Sequence, residues 1–126
     1  MSGKLRGALA LIVMGVAVAA ILSPVAVGEA LGRSASTSSE MINLRASWGG
    51  TLLGLGAAIG LARTETRGRL LLSVLLWVIA GIGVARAVGF VLDGSPDGLQ
   101  WVWLIAEIAI VAVCAWLLRR PRAAAS

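Results

Sequence analysis

The sequence predicts an all-α polytopic membrane fold: a four-transmembrane-helix, up-down antiparallel bundle with both termini on the cytoplasmic side. Three observations lead to it. Of the 126 residues, 59% are hydrophobic and 13% charged, whereas a soluble domain carries about 25% charged residues. The apolar residues gather into runs near the roughly 20 residues that a spanning helix needs. The basic residues cluster in short connections that fall on one side of those runs.

Each span follows from its boundaries. The first is expected over residues 8–26, after Lys4 and Arg6, with Pro24 kinking or ending it because proline lacks the amide proton of a helix interior. This run also has the form of a secretory signal, a basic start and apolar core with small residues near Ala26 and Gly28. Cleavage would start the mature chain near Glu29. The second span is expected over 42–62, taking in Arg45. The third, 70–92, is interrupted only by Arg86, and the fourth, 99–118, only by Glu107. A basic cytoplasmic tail, 119–126, closes a single membrane domain.

The connections set the orientation. Lys4 and Arg6, then Arg63, Arg67 and Arg69, then Arg119, Arg120 and Arg122 share one side. The other side carries Arg33 against Glu29, Glu40, Asp93 and Asp97. The Lys/Arg bias of short loops places the first side inside. Asp93 to Gly98, reading Asp-Gly-Ser-Pro-Asp-Gly, is a dense turn signal. Gly50 and Gly54, Gly56 and Gly60, and then Gly81 and Gly83 mark places where helices can approach closely.

Composition excludes much. There is no histidine and a single cysteine, Cys114, so haem, zinc and histidine-dependent hydrolysis are disfavoured, and no metal, cofactor or disulfide is expected. The net charge of +5 and pI near 11.4 would suggest nucleic acid in a soluble protein. Here the basic clusters flank apolar runs, where they orient helices and meet anionic lipid, so no nucleic acid is expected. Gly49-Gly50 and its neighbours lie inside a span without the lysine of a phosphate-binding loop.

Three charges inside spans need an explanation, because each costs roughly 3 kcal/mol on insertion scales. From the rise per residue, Glu107 lies roughly 12 Å, Arg86 roughly 9 Å and Arg45 roughly 7 to 8 Å below the outer boundary. All three therefore share one layer, and Asp93 shares a helix face with Arg86. The expected assembly turns them inward, with Glu107 bridging one or both guanidiniums. It can serve as an ion cluster that fixes helix register, or as a polar pocket whose surplus arginine takes an anionic head group. Arg45 could also snorkel to the outer interface. Trp48 and Trp103 are candidates for an aromatic wall beside it, or for belt anchors.

Taken in order, these features resemble the bacterial family called domain of unknown function 4345, small four-helix membrane proteins. The carrying residues are Glu40-Met-Ile-Asn-Leu-Arg45-Ala-Ser-Trp-Gly49-Gly50, then Ala85-Arg86-Ala-Val-Gly89 with Asp93-Gly94-Ser95-Pro96, and Glu107 in the last helix. The resemblance covers roughly residues 5 to 118. Ala85 stands where the family has glycine and Gly89 where it has serine. The resemblance implies the architecture, a bacterial inner-membrane location and the set Arg45, Arg86, Asp93 and Glu107, but no activity.

The functional expectation is a non-enzymatic protein with no catalytic residue. Its outer-leaflet cluster binds an anionic lipid or amphiphile, or docks a partner membrane protein or a second copy of the chain. One alternative is a membrane enzyme acting on a lipid or isoprenoid, with Glu107 as acid or base and Asp93 as the second carboxylate. A small transporter is the other.

Overall fold

A computed structural model describes residues 2–61 and 66–121; the predicted basic residues Arg63 and Arg122 and the expected span end at residue 62 lie outside them. The described residues form helices α1 (Gly3–Leu22), α2 (Pro24–Ala30), α3 (Ser38–Leu44), α4 (Thr51–Leu61), α5 (Arg67–Asp93) and α6 (Gly98–Arg119). Between α3 and α4 lies a π-helical segment, Arg45–Gly50. The three pieces follow one another without a break, so Ser38 to Leu61 is one helical run. Three helices, α1, α5 and α6, are each long and apolar enough to cross a membrane.

Local chemistry explains the ends. Ser2, Thr37 and Asp97 each accept a backbone N–H with the side chain at the N-terminus of α1, α3 and α6, satisfying donors that lack an intrahelical partner. The first helix stops at Leu22, sooner than the predicted boundary, and restarts at Pro24, which suits a first helical position. Asp93 belongs to the end of α5 rather than to the turn. Gly94, at φ +66°, then reverses the chain in a conformation open to glycine.

Neighbours in sequence are neighbours in space. The run Ser38–Leu61 packs against α1 on one side and α5 on the other, and α6 packs against α5. A side chain added at Gly49 would meet Ile21, and one at Gly56 would meet Met14, so this run and α1 pass antiparallel. Gly50 lies against Gly81 and Ile82, and Gly54 against Trp77 and Val78, so the run is antiparallel to α5 as well. Arg69 of α5 donates to the Leu118 carbonyl of α6 at 2.5 Å, while Arg86 reaches Gln100, giving the same relation there. No comparably extensive packing joins α1 to α6 among the described residues, so the helices form an open row.

The glycines make this packing specific. A Cβ at Gly54 would fall 2.3 Å from the Trp77 carbonyl oxygen, and one at Gly81 would fall 2.4 Å from that of Gly50. Backbone therefore rests on backbone across this seam. The buried apolar side chains are mostly small, among them Ala10, Ala17, Ala46, Ala58 and Ala85. Large aliphatic and tryptophan side chains face outward along α1, α5 and α6. Such a surface is suited to lipid rather than water.

Candidate functional site

The polar residues of the spans meet near the end of the row where α3 begins, in two linked groups. Arg45 opens the π segment. Its Nε donates to Asp93 Oδ2 at 2.8 Å and its Nη2 to Asp93 Oδ1 at 2.9 Å, a two-pronged pairing that fixes both planes. Its Nη1 donates to the Ile21 carbonyl. That oxygen is available because the break at Ser23 leaves the last carbonyls of α1 without intrahelical donors. Ser38 Oγ donates to the Asp93 carbonyl at 3.1 Å, tying the start of α3 to the end of α5.

Arg86, in α5, is held on three sides. Its Nε donates to Glu107 Oε1 at 3.0 Å and Oε2 at 3.2 Å, and its Nη2 to Oε1 at 2.9 Å. Its Nη1 donates to Gln100 Oε1 at 2.5 Å and to Asn43 Oδ1 at 3.1 Å. Gln100 Nε2 donates to that same Asn43 oxygen at 3.2 Å. The network thus joins α3, α5 and α6. Arg86, Gln100 and Glu107 are 5%, 1% and 6% exposed, so hydrogen bonding is what makes their burial tolerable.

Of the two expected arrangements, Glu107 bridging one guanidinium or both, the structure has the first. Glu107 pairs with Arg86, while Arg45 pairs with Asp93. The reason lies in the π segment, which buries Arg45 between the end of α1 and the end of α5. Asp93 stands seven residues beyond Arg86, about 10 Å further along α5. Each cation has its own anion, and the cluster holds no surplus positive charge.

At the rim of this cluster, Ser36 donates to Glu40 Oε2 through both its backbone N–H, at 2.8 Å, and its hydroxyl, at 3.2 Å. Chiefly the backbone donor holds the Glu40 carboxyl below the ordinary carboxylate range. Asp97 accepts the Gln100 N–H at 3.0 Å and the Ser39 hydroxyl at 2.9 Å, and its pKa is likewise lowered, first by the Gln100 backbone bond.

Beside the network opens a cleft of about 390 Å³, lined by Arg33, Ser34, Glu40, Asn43, Leu44, Ser47 and Trp48. Arg33 is exposed, and among the described residues its guanidinium makes no hydrogen bond or ion pair. Asn43 uses its oxygen toward Arg86 and Gln100, and it is itself exposed, so its amide N–H groups are accessible at the cleft. Trp48 lines this cleft, whereas Trp103 lies exposed on α6 and outside it. The two tryptophans therefore form no common wall. Among the described residues no group of three potential metal ligands occurs.

Composition and spacing had singled out Arg45, Arg86, Asp93 and Glu107 but missed Asn43 and the cleft. Asn43 was legible as a further polar residue in the same apolar run, two before Arg45. The cleft was not, because it depends on how the segment between α2 and α3 folds back over α3.

The model of one family, described as a domain of unknown function (DUF4345), matches residues 4–118. The chain belongs to this family. No curated protein and no solved structure matches it. In this DUF4345 chain the matched region takes in every residue of the network and the cleft. Its Ala85 is fully buried where α5 meets Gly50, and its Gly89 lies against Ile42, so both positions belong to the contact between α5 and the preceding helical run.

Proposed function

We propose that this DUF4345 protein is a four-span, non-enzymatic protein of the bacterial inner membrane that binds an anionic amphiphile at its outer face. The spans lie within α1, the part of the run Ser38–Leu61 from residue 42 onward, α5 and α6, in up-down order with both termini inside. The positions of the basic residues support this orientation. Lys4, Arg6, Arg67, Arg69, Arg119 and Arg120 gather at one end of the row, which short-loop bias assigns to the cytoplasm.

The observation that carries the binding reading is the cleft with its unpaired Arg33. An anionic head group there meets a guanidinium, the Asn43 amide N–H groups and the hydroxyls of Ser34 and Ser47. Glu40, on the same wall, favours head groups that also carry hydrogen-bond donors. The exposed Trp48 suits the level where head groups meet hydrocarbon. The Arg86–Glu107 pair helps hold the cleft in shape, and Asn43 connects it to the cleft.

Native mass spectrometry of gently extracted protein tests the reading. Wild type carries an anionic lipid adduct that Arg33→Ala loses, while its helix content stays unchanged. An adduct equally retained by Arg33→Ala sinks the proposal. Orientation is checked by cysteine labelling in a Cys114→Ala background. Ser36→Cys reacts with an impermeant reagent on intact cells, and Ser2→Cys reacts only after permeabilisation. The reverse pattern refutes the assigned topology.

A further inference from the structure

A second cavity, of about 380 Å³, runs along the seam between α5 and α6. Its walls are aliphatic, including Ile79, Val84, Leu104, Ile108 and Val111, and its one ionisable lining residue is Glu107. Glu107 is 6% exposed, and its two oxygens are used unequally. Oε1 accepts from Arg86 at 2.9 and 3.0 Å, whereas Oε2 accepts only the longer bond, at 3.2 Å. A carboxylate oxygen can accept more than one bond, so Oε2 has capacity left.

Gly83 is what leaves room beside that oxygen. A Cβ there would meet Glu107 Oε2 at 3.6 Å and Glu107 Cβ at 3.7 Å, ordinary contacts. Packing requires glycine at position 81, where a Cβ would strike backbone at 2.4 Å, but not at position 83. A glycine inside a helix is unfavourable relative to alanine. The space it leaves lies over the one under-used acceptor in an otherwise apolar groove.

We propose that this groove binds a neutral long-chain alcohol. Its hydrocarbon lies along the aliphatic walls, and its hydroxyl donates to Glu107 Oε2. A donor is required because a carboxylate only accepts. A neutral ligand is required because Arg86 already offsets the charge, and because Glu107 lies about 13 Å along α6 from Gly98, a depth that strongly disfavours a charged head group. This site is separate from the Arg33 cleft and does not depend on it.

The test uses the full chain in phosphatidylcholine vesicles with a diazirine-bearing hexadecanol. Light labels α5 and α6 peptides. Unlabelled hexadecanol competes about tenfold better than its methyl ether, since a hydrogen bond to a charged group contributes about that factor. Gly83→Leu fills the groove and abolishes labelling, and Arg33→Ala labels like wild type. Equal competition by alcohol and ether overturns the proposal, as does full labelling of Gly83→Leu. An Ala87→Cys disulfide between two copies, in place of labelling, assigns the groove to a second chain and also overturns it. The alcohol–ether comparison uses wild type alone, so it stands even if Gly83→Leu does not fold.

Discussion

Helix α5 is gripped on two sides by different balances of close packing and polar contact. Toward the run Ser38–Leu61, Gly50, Gly54 and Gly81 strip the seam of side chains until backbones touch. Toward α6 the seam is held by long polar side chains, Arg86 reaching Gln100 and Glu107, with a groove left beside them. In lipid there is no hydrophobic drive to bring helices together, so close packing and buried polar contacts are the two means available. The first seam depends on shape from Gly50 onward, while its other end is pinned by Arg45–Asp93 and Asn43–Arg86. The second depends on a few atoms and leaves space, which is why its groove adjoins Glu107.

The seam between α5 and α6 is most sensitive at Glu107. Glu107→Leu strands the Arg86 guanidinium in a buried site, an expected loss of roughly 3–5 kcal/mol in denaturant titration of the detergent-solubilised protein. Arg86→Met combined with Glu107→Leu removes both charges and is expected to recover most of that loss. A double variant no better than the single would mean that the pair is not an isolated electrostatic unit.

The glycine seam comes next. Gly54→Ala puts a methyl into the Trp77 and Val78 backbone, and overpacking of this kind costs roughly 1–3 kcal/mol in the same titration. Gly83→Ala, two residues beyond the tight contact at Gly81, meets only ordinary contacts and should gain roughly 0.5–1 kcal/mol. Equal responses at the two positions would erase the distinction between the seams. Asn43→Ala removes one acceptor from Arg86 while Gln100 remains, an expected cost of about 1 kcal/mol.

The rim of the cluster gives the smallest effect, read against pH. Glu40 and Asp97 both have lowered pKa values in the folded chain, so their contribution is complete at neutral pH. It is lost as pH falls below the ordinary carboxylate value of about 4. Thermal unfolding should therefore shift to lower temperature as pH falls below about 4, with a smaller shift in Glu40→Gln. An unchanged shift in that variant would assign the acid sensitivity elsewhere.

Much of this was legible from residue types alone. Apolar runs and proline placed the helices, glycine spacing marked the tight seam, and three charges in apolar surroundings marked the network. The pairing was not legible. Arg45 meets Asp93 because a π segment, for which Arg45-Ala-Ser-Trp-Gly-Gly gives no periodic signal, turns it there. Its third contact depends on a carbonyl freed by the break before Pro24. Arg33 sits in a connection whose course over α3 has no sequence rule, so the cleft needed coordinates. By contrast, Glu107 and Gln100 fall seven apart and face α5 as helical geometry requires.

The anionic head group belongs to the Arg33 cleft, while the ion pairs of the polar network hold the helices in place. The most direct test places Arg33→Ala beside the Arg86→Met, Glu107→Leu double variant in native mass spectrometry of protein from the same membranes. The account predicts that the folded double variant keeps the anionic lipid adduct and that Arg33→Ala loses it. An adduct lost from the folded double variant and kept by Arg33→Ala would put binding in the ion pairs and contradict it.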